Sequence, residues 1–289
     1  MAIRIVTDST ADLPPDLAAR HNITVVPLIL MFGDEAFQDG VDITADRFFK
    51  RLVRESKLPT TSQPSPGAFR AAYGRLRDEG ATEILSIHIS GKLSKTIEAA
   101  RQGAEGLDGV SVVCVDSQMT TLALGMGVVR AAEMAEAGKT LDEARAAAES
   151  FFRRMHTFFM VDTLEYLRRG GRIGRAREIV GSLLQLKPIL ALRDGEVTPV
   201  GRARTKQRAI EEMLRRAAEL RPIEELIAVH ATTPDDLGRI VERLHGLAPE
   251  APITVGRVTP VLGVHCGPGL LAVGVLTAEA SSPLSASGA

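Results

Sequence analysis

Three short segments concentrate hydroxyl, amide and carboxyl side chains at places where predicted strands end or helices begin. Asp8-Ser9-Thr10-Ala11-Asp12 follows the first predicted strand, and Thr60-Thr61-Ser62-Gln63-Pro64-Ser65-Pro66-Gly67 precedes a predicted helix. Ser90-Gly91-Lys92-Leu93-Ser94-Lys95-Thr96 follows a strand and opens a helix, whose N-terminal amides favour an anion. Such hydroxyl donors suit a bound carboxylate. The same residue types are ordinary helix caps and turn formers, so each segment alone fits both interpretations.

Nucleotide-binding and phosphatase motifs do not fit these segments. The Walker pattern requires Gly and Ser or Thr where this sequence has Ser86 and Leu93. Gly267-Pro268-Gly269-Leu270-Leu271-Ala272 has the dinucleotide spacing, but it runs into an apolar strand pattern instead of opening a helix. A dehalogenase-type phosphatase needs a second Asp where Thr10 stands. We therefore expect no nucleotide cofactor.

His265 and Cys266 invite a nucleophile-and-base interpretation. We predict an extended segment here, in which adjacent side chains point to opposite faces and cannot serve each other. Cys266 is then interpreted as inert packing. The six His and two Cys are widely spaced, so no zinc site is indicated. We expect no catalytic residue, no metal and no cofactor apart from a bound ligand.

Positive charge is concentrated in Arg168-Arg169-Gly170-Gly171-Arg172-Ile173-Gly174-Arg175, followed further on by Arg202, Arg204, Lys206 and Arg208. Glycines interrupt the potential helix, so backbone and guanidinium groups could surround an anion or an acidic partner surface. A solvated helix face explains the same composition.

The composition excludes several classes of protein. The net charge of -1 and a pI near 6.6 argue against a nucleic-acid binder, and 4% aromatic residues leave few stacking platforms. Two cysteines indicate a reducing compartment. The N-terminus has no secretory pattern, and the apolar run from Val25 to Phe32 is too short to span a bilayer. We expect a cytoplasmic protein.

Strand and helix patterns alternate in the first half, which predicts a mostly parallel sheet flanked by helices. The predicted strands are Ile3 to Thr7, Ile23 to Leu30, Glu83 to Ile89 and Val110 to Val115. A long helix from Met119 to Ala137 precedes a helix with the capping box Thr140 and Glu143, which ends near Met155.

The second half begins with an antiparallel hairpin, signalled by Asp194-Gly195 between two apolar runs. We predict an α/β fold with two domains: 1–153 with the mostly parallel sheet, and 154–280, an α/β domain with a mixed or antiparallel sheet. The ligand is expected between or beside them. Residues 281–289 are small and polar, which predicts a disordered tail.

Six motifs together resemble the DegV family. They are Thr-Asp-Ser-Thr-Ala-Asp-Leu-Pro, Thr-Ser-Gln-Pro-Ser-Pro-Gly, Lys-Leu-Ser-Lys-Thr, Leu-Arg-Arg-Gly-Gly-Arg-Ile-Gly, Arg-Ala-Arg-Thr and His-Cys-Gly-Pro-Gly. They occur in the family's order from Thr7 to Gly269. Lys95 stands where the family commonly has Gly, and Cys266 where Thr is frequent.

The resemblance implies a protein that buries one long-chain fatty acid and presents its carboxylate to the catalytic subunit of a fatty-acid kinase, in phospholipid metabolism. It implies that Thr61 and Ser94 bind the carboxylate, that Ser62 and the Gly91 loop help, and that His265 lies near the headgroup. It also implies that Arg172 and Arg202 engage the kinase or lie beside the headgroup. By this interpretation the chain alone is a carrier without catalytic turnover.

Two other functions remain open at this stage. A hydrolase or transferase acting on a small acyl or phosphorylated substrate would use Asp8, Ser94 or His265, and a purely regulatory module would use the Arg-Gly segment without any ligand. We expect no nucleic-acid partner and no transmembrane segment, and leave open a transient contact with a membrane.

Overall fold

The computed structural model describes residues 3–55, 57–182 and 186–278. The predicted tail 281–289 lies outside these residues. The strands are β1 Ile3–Asp8, β2 Thr24–Val26, β3 Ile29–Phe32, β4 Glu35–Gln38, β5 Thr60–Ser62, β6 Glu83–His88, β7 Ser111–Asp116, β8 Met155–Met160, β9 Lys187–Arg193, β10 Glu196–Ala203, β11 Ile223–His230, β12 Ile253–Arg257 and β13 Leu271–Thr277. The α-helices are α1 Pro15–Arg20, α2 Ala45–Leu52, α3 Pro66–Asp78, α4 Thr96–Ala104, α5 Thr121–Glu136, α6 Leu141–Arg154, α7 Glu165–Arg169, α8 Lys206–Glu219, α9 Pro234–Leu247 and α10 Pro260–Cys266.

The first sheet is a four-stranded parallel sheet in the order β2-β1-β6-β7. Successive side chains of β1 enter different cores: Ile5 joins the cluster that contains α5 and α6, and Val6 joins the cluster that contains α3 and α4. Helices therefore cover both faces, as the alternating patterns predicted.

The second sheet has six strands in the order β10-β9-β8-β13-β11-β12 and is antiparallel except between β11 and β12. Its hairpin turns at Asp194 and Gly195, which both have positive φ, so the Asp-Gly prediction is confirmed. The central strand β8 was missed by the sequence analysis. Helices α8 and α9 cover one face, and the other face joins the large core that also contains α5 and α10.

The predicted strand from Ile23 to Leu30 is wrong, because the segment forms two strands in different sheets. Pro27 lies between β2 and β3, and its nitrogen cannot donate to a sheet. The chain turns there into a three-stranded antiparallel sheet in the order β4-β3-β5. Because β5 pairs with β3, this small sheet places Thr61.

The predicted extended segment at His265 and Cys266 is also wrong. Both residues lie in the last turn of α10, which begins with Pro260, ends at Cys266 and is followed by Gly267, a residue with a φ of +74°. Proline at the first position favours helix initiation, and glycine tolerates the positive φ after the last turn.

Helix boundaries elsewhere follow the local signals. Thr140 and Glu143 form the predicted capping box of α6, while α5 begins two residues later than predicted, at Thr121. The predicted α/β class, with one parallel and one mixed sheet, is confirmed. The division into domains at 153 and 154 stays a prediction, although it coincides with the end of α6, and the largest core cluster draws on both sheets. Within the described residues, every helix is too short or too polar to cross a membrane.

Candidate functional site

An apolar cavity lies between one face of the six-stranded sheet, α5, α10 and the segments that follow β1 and β6, with about 960 Å³ of empty space that includes open solvent. Its apolar walls include Leu28, Ile89, Phe159, Ile227, Val229 and Leu262. The walls suit an apolar ligand.

Four of the predicted site residues line this cavity: Thr61, Ser94, Arg172 and His265. They come from β5, the loop before α4, the segment after α7, and α10. The structure therefore brings together, at one cavity, residues that are far apart in the chain.

Thr61 and His265 contact each other directly, with 2.8 Å between Thr61 Oγ1 and His265 Nε2. Burial, together with the nearby charge of Arg172, lowers the pKa of His265 from 6.5 to about 4. The imidazole is therefore neutral at pH 7. It holds the Thr61 hydroxyl in place without adding a positive charge.

Ser94 lies in a loop held by several contacts. The Ser94 amide donates to Ser90 O at 3.0 Å, and Ser94 Oγ lies 2.8 Å from the Thr96 hydroxyl. The Ser90 hydroxyl donates to the carbonyl of Gly195 in the β9–β10 hairpin at 2.7 Å. The loop before α4 is thus anchored to the second sheet.

Arg172 carries the positive charge at the cavity. Its Nε donates to Leu93 O at 2.9 Å and its Nη1 to Gly170 O at 2.6 Å. Desolvation lowers the pKa of Arg172, but a guanidinium remains charged at neutral pH. No carboxylate of the described residues forms an ion pair with it. The cavity therefore offers a partly buried cation without an anion.

The other predicted site residues, Ser62, Gly91 and Arg202, do not line the cavity. Neighbouring residues of a strand face opposite sides, so Ser62 points away from the side of Thr61 and is exposed. Its hydroxyl donates to Gln63 O. The Gly91 amide donates to Asp116 Oδ2 at 3.1 Å. Arg202 is exposed on the edge strand β10.

Asp8 is fully buried and belongs to a hydrogen-bond network. Its carboxylate accepts from the Thr10 and Ile89 amides and lies 3.0 Å from His88 Nδ1. His88 Nε2 in turn lies 2.7 Å from Ser86 Oγ, which is 2.8 Å from the Tyr73 hydroxyl. Asp8, His88 and Ser86 are 0% exposed, so this arrangement holds β1 to β6 and has no access to a substrate.

Sequence reasoning missed a pair of buried acids at the start of α10. Asp12 accepts from the Thr259 amide at 2.8 Å, and Asp39 accepts from the Val261 amide at 3.0 Å. Burial raises the pKa of Asp12 to about 8 and that of Asp39 to about 6. These acids position the helix that carries His265. A prediction that residues 260–266 form a helix would have been needed to suggest that Asp12 and Asp39 accept hydrogen bonds from amides at the start of that helix.

The described residues contain no cluster of three or more His, Cys, Asp or Glu suited to a metal ion. Cys114 and Cys266 are free thiols. Burial raises the pKa of Cys266 to about 12, which keeps this thiol protonated and a poor nucleophile.

Comparison with known proteins gives consistent matches along the chain. A family model described as "Uncharacterised protein, DegV family" matches residues 2–278. A DegV domain-containing protein of Streptomyces coelicolor is 42% identical over 276 residues, which cover 94% of this chain and 97% of that protein.

Two solved structures have the same fold. One, described as fatty acid binding of a DegV family protein from Thermus thermophilus, has a TM-score of 0.88 and 38% identity, and the match covers 96% of this chain and 100% of that one. The other, described as DegV, a fatty acid binding protein from Bacillus subtilis, has a TM-score of 0.86 and 30% identity, with coverage of 96% and 99%. The chain belongs to the DegV family.

Proposed function

We propose that this protein binds one long-chain fatty acid in the apolar cavity and presents its carboxylate to a partner kinase, which would form an acyl phosphate with ATP. The observation that carries the proposal is a cavity with apolar walls whose polar lining includes Thr61, Ser94, His265 and the unpaired cation Arg172. The relatives described as fatty-acid-binding proteins support the same ligand.

Burial of the fatty-acid tail against the apolar walls supplies the free energy of binding in this proposal. A palmitate-like tail has about 14 methylenes, and at ~0.8 kcal/mol each their burial contributes about 11 kcal/mol before ordering costs. Retaining half of this free energy corresponds to a Kd of roughly 0.1 mM, and retaining nearly all of it to a Kd of about 10 nM. The tail therefore supplies enough free energy to hold the ligand.

The polar lining then orients the carboxylate. The hydroxyls of Thr61 and Ser94 donate to it, and Arg172 balances its charge in a partly desolvated site. Ser62 and Gly91 are left out of this proposal because their polar groups are directed elsewhere.

The kinase partner is proposed from the family resemblance of the motifs, and a location in the cytoplasm from the two cysteines, which indicate a reducing compartment. Arg202, which that resemblance ties to the kinase, is exposed and free to meet a partner. The chain by itself acts as a carrier, without turnover and without a metal or cofactor of its own.

The test is to extract the purified protein with organic solvent and to identify fatty acids by mass spectrometry, with a similarly expressed unrelated protein as the control. Native mass spectrometry of the intact protein gives the stoichiometry. One fatty acid per chain supports the proposal. A wet cavity without lipid, together with hydrolysis of a small acyl or phosphate ester, would instead favour the hydrolase or transferase function.

A further inference from the structure

Gly170 lies against the imidazole of His265 more closely than any other residue type would allow. A Cβ built on Gly170 would overlap His265 Nδ1 and would lie 3.0 Å from its Cε1. The backbone of Gly170 has φ -72° and ψ -8°, a conformation open to all residues. Glycine is therefore required here for space and not for its backbone freedom.

The turn that carries Gly170 is held from both sides. Its amide donates to Tyr166 O at 2.9 Å, and its carbonyl accepts from Arg172 Nη1 at 2.6 Å. Accommodating a methyl group would displace the imidazole or break one of these hydrogen bonds. Because the imidazole faces a cavity, it is the group with room to move.

This contact also decides which ring nitrogen carries the proton. His265 Nδ1 is buried and has no hydrogen-bond partner in the described structure, whereas Nε2 lies 2.8 Å from Thr61 Oγ1. A buried N–H without an acceptor is the costlier defect, and an unused lone pair is tolerated more often. The neutral ring therefore carries its proton on Nε2.

The direction of the Thr61 hydrogen bond follows from that tautomer. Nε2–H donates to Thr61 Oγ1, so the hydroxyl proton of Thr61 is left to donate to another acceptor. If Nδ1 carried the proton instead, Nε2 would accept the Thr61 proton and the ligand would lose this donor.

We infer that Gly170 is a positioning residue for carboxylate binding: its missing side chain lets the His265 ring rest against the turn after α7, with Nδ1 bare and Nε2–H directed at Thr61. The Thr61 hydroxyl proton is thereby reserved for the carboxylate of the bound lipid. This inference rests on the proposed fatty-acid binding and adds a residue from the Arg-Gly segment to the site.

The experiment measures binding of hexadecanoate to the delipidated full chain by calorimetry, for wild type, Gly170→Ala and Gly238→Ala. Gly238 has nothing within 4 Å of an added Cβ, so its substitution controls for a change from glycine to alanine. We expect Gly170→Ala to weaken binding about 10-fold or more, the loss of one charge-assisted hydrogen bond. Gly238→Ala should leave the Kd unchanged.

A second comparison separates positioning from general damage. In a His265→Ala background the added methyl group no longer meets the imidazole and keeps a close contact with Tyr166 O at 3.1 Å. Gly170→Ala should then change the Kd by less than about 2-fold if it acts only through His265. Long-range ¹⁵N–¹H spectra of wild type should show the Nε2–H form of His265. These spectra test the tautomer even if Gly170→Ala fails to fold.

The outcomes distinguish this inference from the proposed function. A wild-type protein that binds no hexadecanoate overturns the fatty-acid proposal and removes the basis of the inference. Normal binding by Gly170→Ala, an equal loss in both backgrounds, or an Nδ1–H signal in wild type overturns the role of Gly170 and leaves fatty-acid binding intact.

Discussion

Replacing Thr61 with valine tests the centre of the proposed site, because it removes one hydroxyl and keeps the shape. His265 Nε2 would lose its partner at 2.8 Å, and Nδ1 has none already, so both ring nitrogens would be unpaired. Leaving a buried polar group unpaired costs about 1–3 kcal/mol of stability. Losing a hydrogen bond to a carboxylate costs about 1.5–3 kcal/mol, which weakens binding roughly 10- to 150-fold.

Both quantities are measurable on the delipidated protein. Urea denaturation gives the free energy of unfolding, and displacement of a fluorescent fatty acid gives the Kd. Thr60→Val is the matched control, since Thr60 is exposed on the other side of the same strand. A stability loss with an unchanged Kd would mean that Thr61 only supports His265. If neither quantity changed, the proposed carboxylate site would be refuted.

Further substitutions separate the remaining roles. Ser94→Ala should weaken fatty-acid binding about 10-fold, whereas Ser62→Ala, on an exposed side chain, should not change the Kd; equal effects would contradict the assignment. Arg172→Ala should weaken fatty-acid binding, measured by a lipid-binding assay, because it removes the cation at the cavity. Arg202→Ala should leave fatty-acid binding unchanged and slow phosphorylation of the bound fatty acid, measured by a coupled kinase assay. Asp12→Asn should raise stability at pH 8 and flatten its pH dependence in urea denaturation. Because burial raises the pKa of Asp12 from 3.8 to about 8, the folded state keeps a proton that the unfolded state loses. The free energy of unfolding therefore falls by at most about 1.4 kcal/mol per pH unit between these values. The same slope in the Asn variant would rule out Asp12 as its source.

Local features were predictable because neighbouring residues determine them. The Asp194-Gly195 hairpin needs only residues that accept positive φ, and the capping box needs only Thr140 and Glu143 at the right spacing. Alternating strand and helix patterns were likewise enough for the parallel first sheet. The family was recognisable because its motifs are short, ordered and spread over the chain.

Side-chain direction at the site was not predictable from neighbours. Thr61 and Ser62 are adjacent and chemically alike, yet only Thr61 lines the cavity, because the pairing of β5 with β3 decides which face of the strand turns inward. No pattern near Gly91 indicated that its amide would donate to the distant Asp116.

Residue patterns and motifs along the chain were enough to predict the class of fold, the family and a set of candidate site residues, among them Thr61, Ser94, Arg172 and His265. The tertiary structure decided which polar groups meet at one cavity: Thr61 and His265 are 204 residues apart and come within 2.8 Å. Such contacts depend on sheet register and on the packing of α10 against α2 and α7. These are set by the burial of distant apolar surfaces, which no local pattern of residues encodes.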